Sequence, residues 1–105
     1  MADKCTVTIK AGICGRTTIV HAEENDDMTV KITLESDCPM VSRTPLPEAI
    51  VPWDEVGTPM DQTVVYKWAS ANLAHAACPV PCGIIKSIEV AGGLGLKKDV
   101  YMEIK

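Results

Sequence analysis

From Met28 to Glu35 apolar and polar residues alternate without a break. Met28, Val30, Ile32 and Leu34 are separated by Thr29, Lys31 and Thr33. A helix cannot hold such a set on one face, whereas a strand with one side in a core and the other in water does so naturally. The same alternation sets Cys5, Val7 and Ile9 against Thr6, Thr8 and Lys10 in residues 4–10. The β-branched run from Thr17 to Val20 makes residues 16–22 a further strand, with its buried face left open by the pattern. The connections are short. One is the glycine-punctuated loop Ala11-Gly12-Ile13-Cys14-Gly15, and the other is the polar turn from Glu23 to Asp27. Three consecutive strands joined in this way form an antiparallel meander.

The period changes at Ser36-Asp37-Cys38-Pro39. Proline suits the first turn of a helix and pushes the residue before it into extended geometry, so a short helix is expected with Cys38 at its cap. Pro45, Pro47, Pro52 and Pro59 then keep residues 44–59 irregular, with a helical turn expected at Pro47–Val51. Thr58-Pro59 with Asp61 reads as a helix start, followed at helical spacing by Val64, Val65, Trp68, Ala69 and Leu73. Pro79 and Pro81 close that helix and open another. Ile84, Ile85, Ile88 and Ala91 share one face of it, and Gly92, Gly93 and Gly95 end it. Residues 98–104 return to alternation, with Val100, Met102 and Ile104 expected inward and Asp99, Tyr101 and Glu103 outward. The expectation is one α+β domain over residues 1–105. Its order is β-β-β-α-α-β, an antiparallel sheet with helices packed on one face.

A chain of 105 residues with 47% hydrophobic residues suffices for one core, which must be aliphatic because there is no phenylalanine. The net charge of −4 and the scattered basic residues argue against a nucleic-acid surface. No run approaches the length of a membrane span, and no apolar segment of the secretory kind follows Met1. Cytoplasmic residence is therefore expected, where thiols stay reduced. Five cysteines are an odd number and cannot all pair internally.

These cysteines carry the chemical argument. Asp37-Cys38-Pro39 and Ala77-Cys78-Pro79 both set a cysteine before a proline that is expected to open a helix. A thiolate there faces unpaired backbone N–H groups and the positive end of the helix dipole, which suits metal ligation or nucleophilic attack. His75 and Cys78 make a His-x-x-Cys half-site, and Cys14 adds a thiol from a glycine-flanked loop. Cys14, Cys38, His75 and Cys78 together are a Cys3His set of the ligand type that takes zinc or an iron–sulfur cluster. Cys82, one turn after Cys78, reads as a packed small residue, Cys5 as core and His21 as structural. The acidic pairs are expected on turns and exposed strand faces. No nucleophile elbow, phosphate loop or dinucleotide glycine pattern occurs.

Three readings follow. The first is a metal- or cluster-binding module. The second is a cysteine-dependent enzyme or redox sensor, with Cys38 or Cys78 as nucleophile and His75 as base. The third is an interaction module with inert cysteines that meets a protein partner through the Trp53 loop.

The segment from His75-Ala76-Ala77-Cys78-Pro79-Val80-Pro81 through Ile84–Ala91, with Ile13-Cys14-Gly15 and Glu35-Ser36-Asp37-Cys38-Pro39, resembles a small uncharacterised family of prokaryotic proteins found largely in anaerobes. The resemblance covers nearly the whole chain. It implies that Cys14, Cys38, His75 and Cys78 belong to the family's motifs and that Cys82 does not. The layout is also similar to that of the U-type iron–sulfur cluster scaffolds. Those too carry a Cys-Gly loop before a strand, a cysteine at a strand-to-helix junction and a His/Cys site at a later helix start. The chain differs from them in the separation of His75 from Cys78 and in its expected final strand.

Overall fold

The structure is a computed structural model that describes residues 4–105. β1 (Lys4–Lys10), β2 (Thr17–Glu24) and β3 (Val30–Ser36) form an antiparallel sheet in the order β1-β2-β3. The register runs unbroken from Lys4 opposite Glu23 to Lys10 opposite Thr17, and from Thr18 opposite Ser36 to Glu24 opposite Val30. Cys5, Ile9, Thr18, Val20, Ala22, Val30 and Ile32 are buried on one face. The other face is polar and carries the cross-strand row Lys4–Glu23–Lys31. Thr18, Val20 and Ala22 thus settle which side of β2 is core.

The α+β class, the antiparallel sheet and the helices packed on one face agree with the sequence expectation. After α1 (Pro39–Ser42) and α2 (Pro52–Val56), a 3-10 turn at Met60–Gln62 leads into α3 (Val64–Asn72), and α4 (Val80–Ala91) follows. α4 lies across all three strands, while α2 and α3 pack against α4. Val80, Ile84, Ile88 and Ala91 recur at helical spacing and are buried, as the sequence period requires, whereas Ile85 is half-buried. Burying each isoleucine contributes on the order of 1.5–3 kcal/mol. Gly83 lets α4 approach β1 closely, since a Cβ there would overlap Ile9. The helix ends in a Schellman motif. Gly93 is left-handed at φ 78°, its N–H donates to the Val90 carbonyl, and the Leu94 N–H donates to that of Glu89.

Several segments depart from the sequence expectation for local reasons. Met28 is 69% exposed and left-handed at φ 70°, in the turn between β2 and β3 instead of on its core face. The turn closes through Met28 N–H to the Asn25 carbonyl and Asn25 N–H to that of Thr29. Asp27 accepts from the Thr29 hydroxyl and N–H, which holds its carboxyl below the usual range. The helical turn expected at Pro47–Val51 forms instead at Pro52–Val56. Pro52 supplies the first helical residue there, while Ile50 stays extended to bridge Val30. Among the described residues, 98–104 take no strand partner, and they are exposed. Their alternation is real, but the chain leaves α4 without returning to the sheet.

Candidate thiolate site

The register decides which cysteines share a neighbourhood. β1 ends, β2 begins and β3 ends at one end of the sheet, because Lys10 faces Thr17 and Thr18 faces Ser36. Cys14 lies on the loop after β1, and Cys38 lies two residues after β3. The first turn of α4 rests on the same end, with Gly83 against Ile9 and Val7, and brings Cys78 and Cys82 with it. Cys5 faces Ala22 near the opposite end.

Each segment is held differently. Cys38 is tied to the sheet: the Thr17 N–H donates to the Asp37 carboxylate at 2.9 Å, Arg16 donates to the Asp37 carbonyl at 2.8 Å, and the Cys38 N–H donates to the Ser36 hydroxyl at 3.1 Å. Cys38 is the N-cap of α1, as expected, and its side chain caps nothing. α1 has only 4 residues, so few peptide dipoles align behind it. Cys78 differs from expectation by one position. Pro79 is the N-cap of α4 and Val80 its first residue, so Cys78 precedes the cap while Cys82 sits in the first turn. A turn with Cys78 N–H to the His75 carbonyl, at 3.1 Å, folds His75 back towards Cys78. Ile13 stands fully in solvent and Cys14 is exposed at the tip of a loop whose Gly12 and Gly15 have φ of 94° and 71°. Backbone of that sign favours glycine and lets the tip project away from the core.

All five thiols are free. Cys38 and Cys78 are half-buried against the core, and His75 is exposed. Among the described residues, no three His, Cys, Asp or Glu side chains stand close enough together to hold a metal ion in this conformation. The spacing has a simple cause. Cys38 follows β3 while α4 starts over β1, two strand spacings or about 10 Å away.

A family model described as a family of unknown function (DUF6951) matches residues 5–104. The chain belongs to DUF6951. No curated protein and no solved structure matches it. The DUF6951 match includes every cysteine, His75 and residues 98–104.

Two further groups in this DUF6951 chain were not evident from sequence. Glu55, which no motif singles out, is 3% exposed. Its carboxylate accepts from the Val64 N–H at 2.8 Å and the Val65 N–H at 3.1 Å, and Thr63 accepts from the Tyr66 N–H at 3.1 Å. Three N–H groups at the start of α3 are thereby satisfied from side chains. No spacing rule links Glu55 to a helix that begins nine residues later. Tyr66 was also unmarked. Burial pushes its phenol up, and the charge of Cys82 adds to the shift. Cys5 is buried as expected, and burial raises its thiol while Lys97 opposes the shift. His21 has a structural partner, Glu35, at 2.8 Å on the polar face. Among the described residues no helix is long and apolar enough to cross a membrane.

Proposed function

We propose that the end of the sheet bearing Cys14, Cys38 and Cys78 binds a thiophilic metal, either zinc or the iron of an iron–sulfur cluster. The three thiolates serve as ligands, and His75 serves as a fourth ligand or as an orienting neighbour. The observation behind this reading is the convergence of three separate chain segments, each with an unpaired thiol, on one end of the sheet. Cys14 is exposed on a glycine-flanked loop, and in this reading a bound ion draws all three segments together across the gap that separates Cys38 from Cys78. A cluster is the form that the resemblance in layout to the U-type scaffolds would imply.

The test is elemental analysis of protein purified without oxygen or chelator. About one zinc per chain, or about two or four irons with matching sulfide for a cluster, is expected. Cys38→Ser and Cys78→Ser should each lower metal content and melting temperature together, whereas Cys82→Ser should be milder. Metal far below one equivalent, unchanged by reconstitution with zinc or with iron and sulfide, refutes the proposal.

A second reading, an interaction module with inert cysteines, draws on a different surface. Trp53 is 69% exposed, and Val51, Val56, Met60 and Val64 nearby are exposed as well. It predicts metal-free protein whose cysteine variants behave like wild type.

A further inference from the structure

The two outer edges of the sheet differ. β3 meets Ile50 through a bridge at Val30 and has α1 beside it. Among the described residues, no strand pairs with the outer edge of β1. That edge has neither proline nor bulge along Lys4–Lys10, so it offers an unprotected row of backbone donors and acceptors. The chain also carries an unpaired strand pattern. In residues 98–104 Val100, Met102 and Ile104 alternate with Asp99, Tyr101 and Glu103, and Tyr101 and Ile104 are 89% and 94% exposed. The family match runs through Ile104, so this segment belongs to the shared domain.

We propose that residues 99–104 pair antiparallel with β1 of a second copy, and that the exchange is reciprocal. The direction follows from the packing. Gly83 of α4 rests on Ile9, whereas Val90 shares a cleft with Lys4, Cys5 and Thr6, so α4 runs opposite to β1. Lys97, Lys98 and Asp99 line the same cleft, so the tail departs beside the start of β1. Laid on its own β1, the tail runs parallel to it, against the antiparallel habit of this sheet. Laid on a two-fold-related copy, it pairs antiparallel, and the strand order becomes β3-β2-β1-tail-tail-β1-β2-β3 with every neighbour antiparallel. The tail then begins two strand spacings, about 10 Å, from its own β1. Lys97 and Lys98 lie in that gap.

The side chains fit this arrangement. With Asp99 opposite Lys10, the next pairs are Val100 with Ile9, Tyr101 with Thr8, Met102 with Val7, Glu103 with Thr6 and Ile104 with Cys5. Apolar residues then continue the core face beside Val7 and Val90, which are only partly covered within one chain. Polar residues continue the wet face, where Asp99 meets Lys10 and Glu103 lies diagonal to Lys4.

Sedimentation equilibrium of the full chain in reductant tests this. A dimer at micromolar concentration is expected. Removal of residues 98–105 should give a monomer that still unfolds cooperatively and whose circular dichroism spectrum loses only the signal of the tail strands. Met102→Asp should raise the dissociation constant about tenfold or more. Lys10→Glu and Asp99→Lys should each weaken the dimer, and the double variant should restore it. A full-length monomer overturns the proposal, with or without exchange-protected tail amides. So does a dimer that survives both truncation and Met102→Asp.

Discussion

Where β1 begins, the sheet is closed over by other parts of the chain. The Asn25–Met28 turn is tied by backbone hydrogen bonds and by Asp27, and Ile50 bridges Val30. α2 follows at once, with Pro52 packed against Gly92 at the end of α4. Where β1 ends, the chain projects two solvent-exposed residues, Ile13 and Cys14, and leaves Cys38, Cys78 and Cys82 only half-covered. One end is therefore braced and the other is accessible. The difference teaches that one residue type meets two environments. Cys5 at the braced end is a small buried core side chain, and the thiols of the open end are exposed or half-buried. Substitutions at the braced end should cost stability and leave thiol reactivity at the other end unchanged.

The largest effect is expected at Glu55. Its carboxylate takes two backbone N–H groups in a buried place, so Glu55→Ala leaves both without a partner. A loss of about 3 kcal/mol in denaturant unfolding is expected. Glu55→Gln should lose about half as much, because one amide oxygen remains to accept. The alkylation rates of Cys38 and Cys78 in the folded variant should match wild type. A change in them of the same order as the stability loss would break the comparison between the ends.

Met28→Gly should act in the opposite direction. Met28 holds a left-handed conformation in a tight turn without being buried there. Glycine adopts that backbone without the steric cost, which is roughly 1 kcal/mol for a residue bearing a Cβ. Stability should rise by about 0.5–1 kcal/mol, less the entropy glycine adds to the unfolded chain. A rise in the unfolding midpoint with an unchanged denaturant slope checks it; a fall would mean that the Met28 side chain contributes contacts that outweigh the strain.

The sheet was legible because its signal is local. Alternation in residues 4–10 and 30–35 states both the strand and its buried face, and α4 shows its face through Ile84, Ile88 and Ala91. What escaped depends on chain partners far away in sequence. Met28 continues the alternation perfectly, yet turn geometry overrides the pattern. Glu55 sits in a proline-rich stretch with no period, and its burial is decided by α3. Residues 98–104 have the period of a strand, but period does not name a partner. The cysteines were recognisable by type and by their neighbours Gly15, Pro39 and Pro79. Their gathering at one end of the sheet follows from strand register and from the direction of α4, which no short motif encodes.

The smallest effect, and the finest test of the comparison, concerns Cys5 in alkaline solution. Burial raises its thiol above the ordinary cysteine value, and Lys97 offsets part of that rise. In the unfolded chain the thiol ionises at about pH 8.5, before it does in the folded one. Above that pH the unfolded state holds fewer protons than the folded state, so stability falls as pH rises. Below it both forms are neutral and the contribution of Cys5 is fully present. Cys5→Ala should therefore lose some packing at pH 7 but show a shallower decline between pH 8 and pH 10 than wild type. Lys97→Ala should steepen the decline, since the charge that favours the thiolate is gone. Unfolding midpoints across this range, in reductant, measure both slopes, and the other four thiols are common to all three proteins. If wild type and Cys5→Ala decline in parallel, the Cys5 thiol is as solvated as the accessible ones, and the distinction between the two ends fails at the residue that defines it.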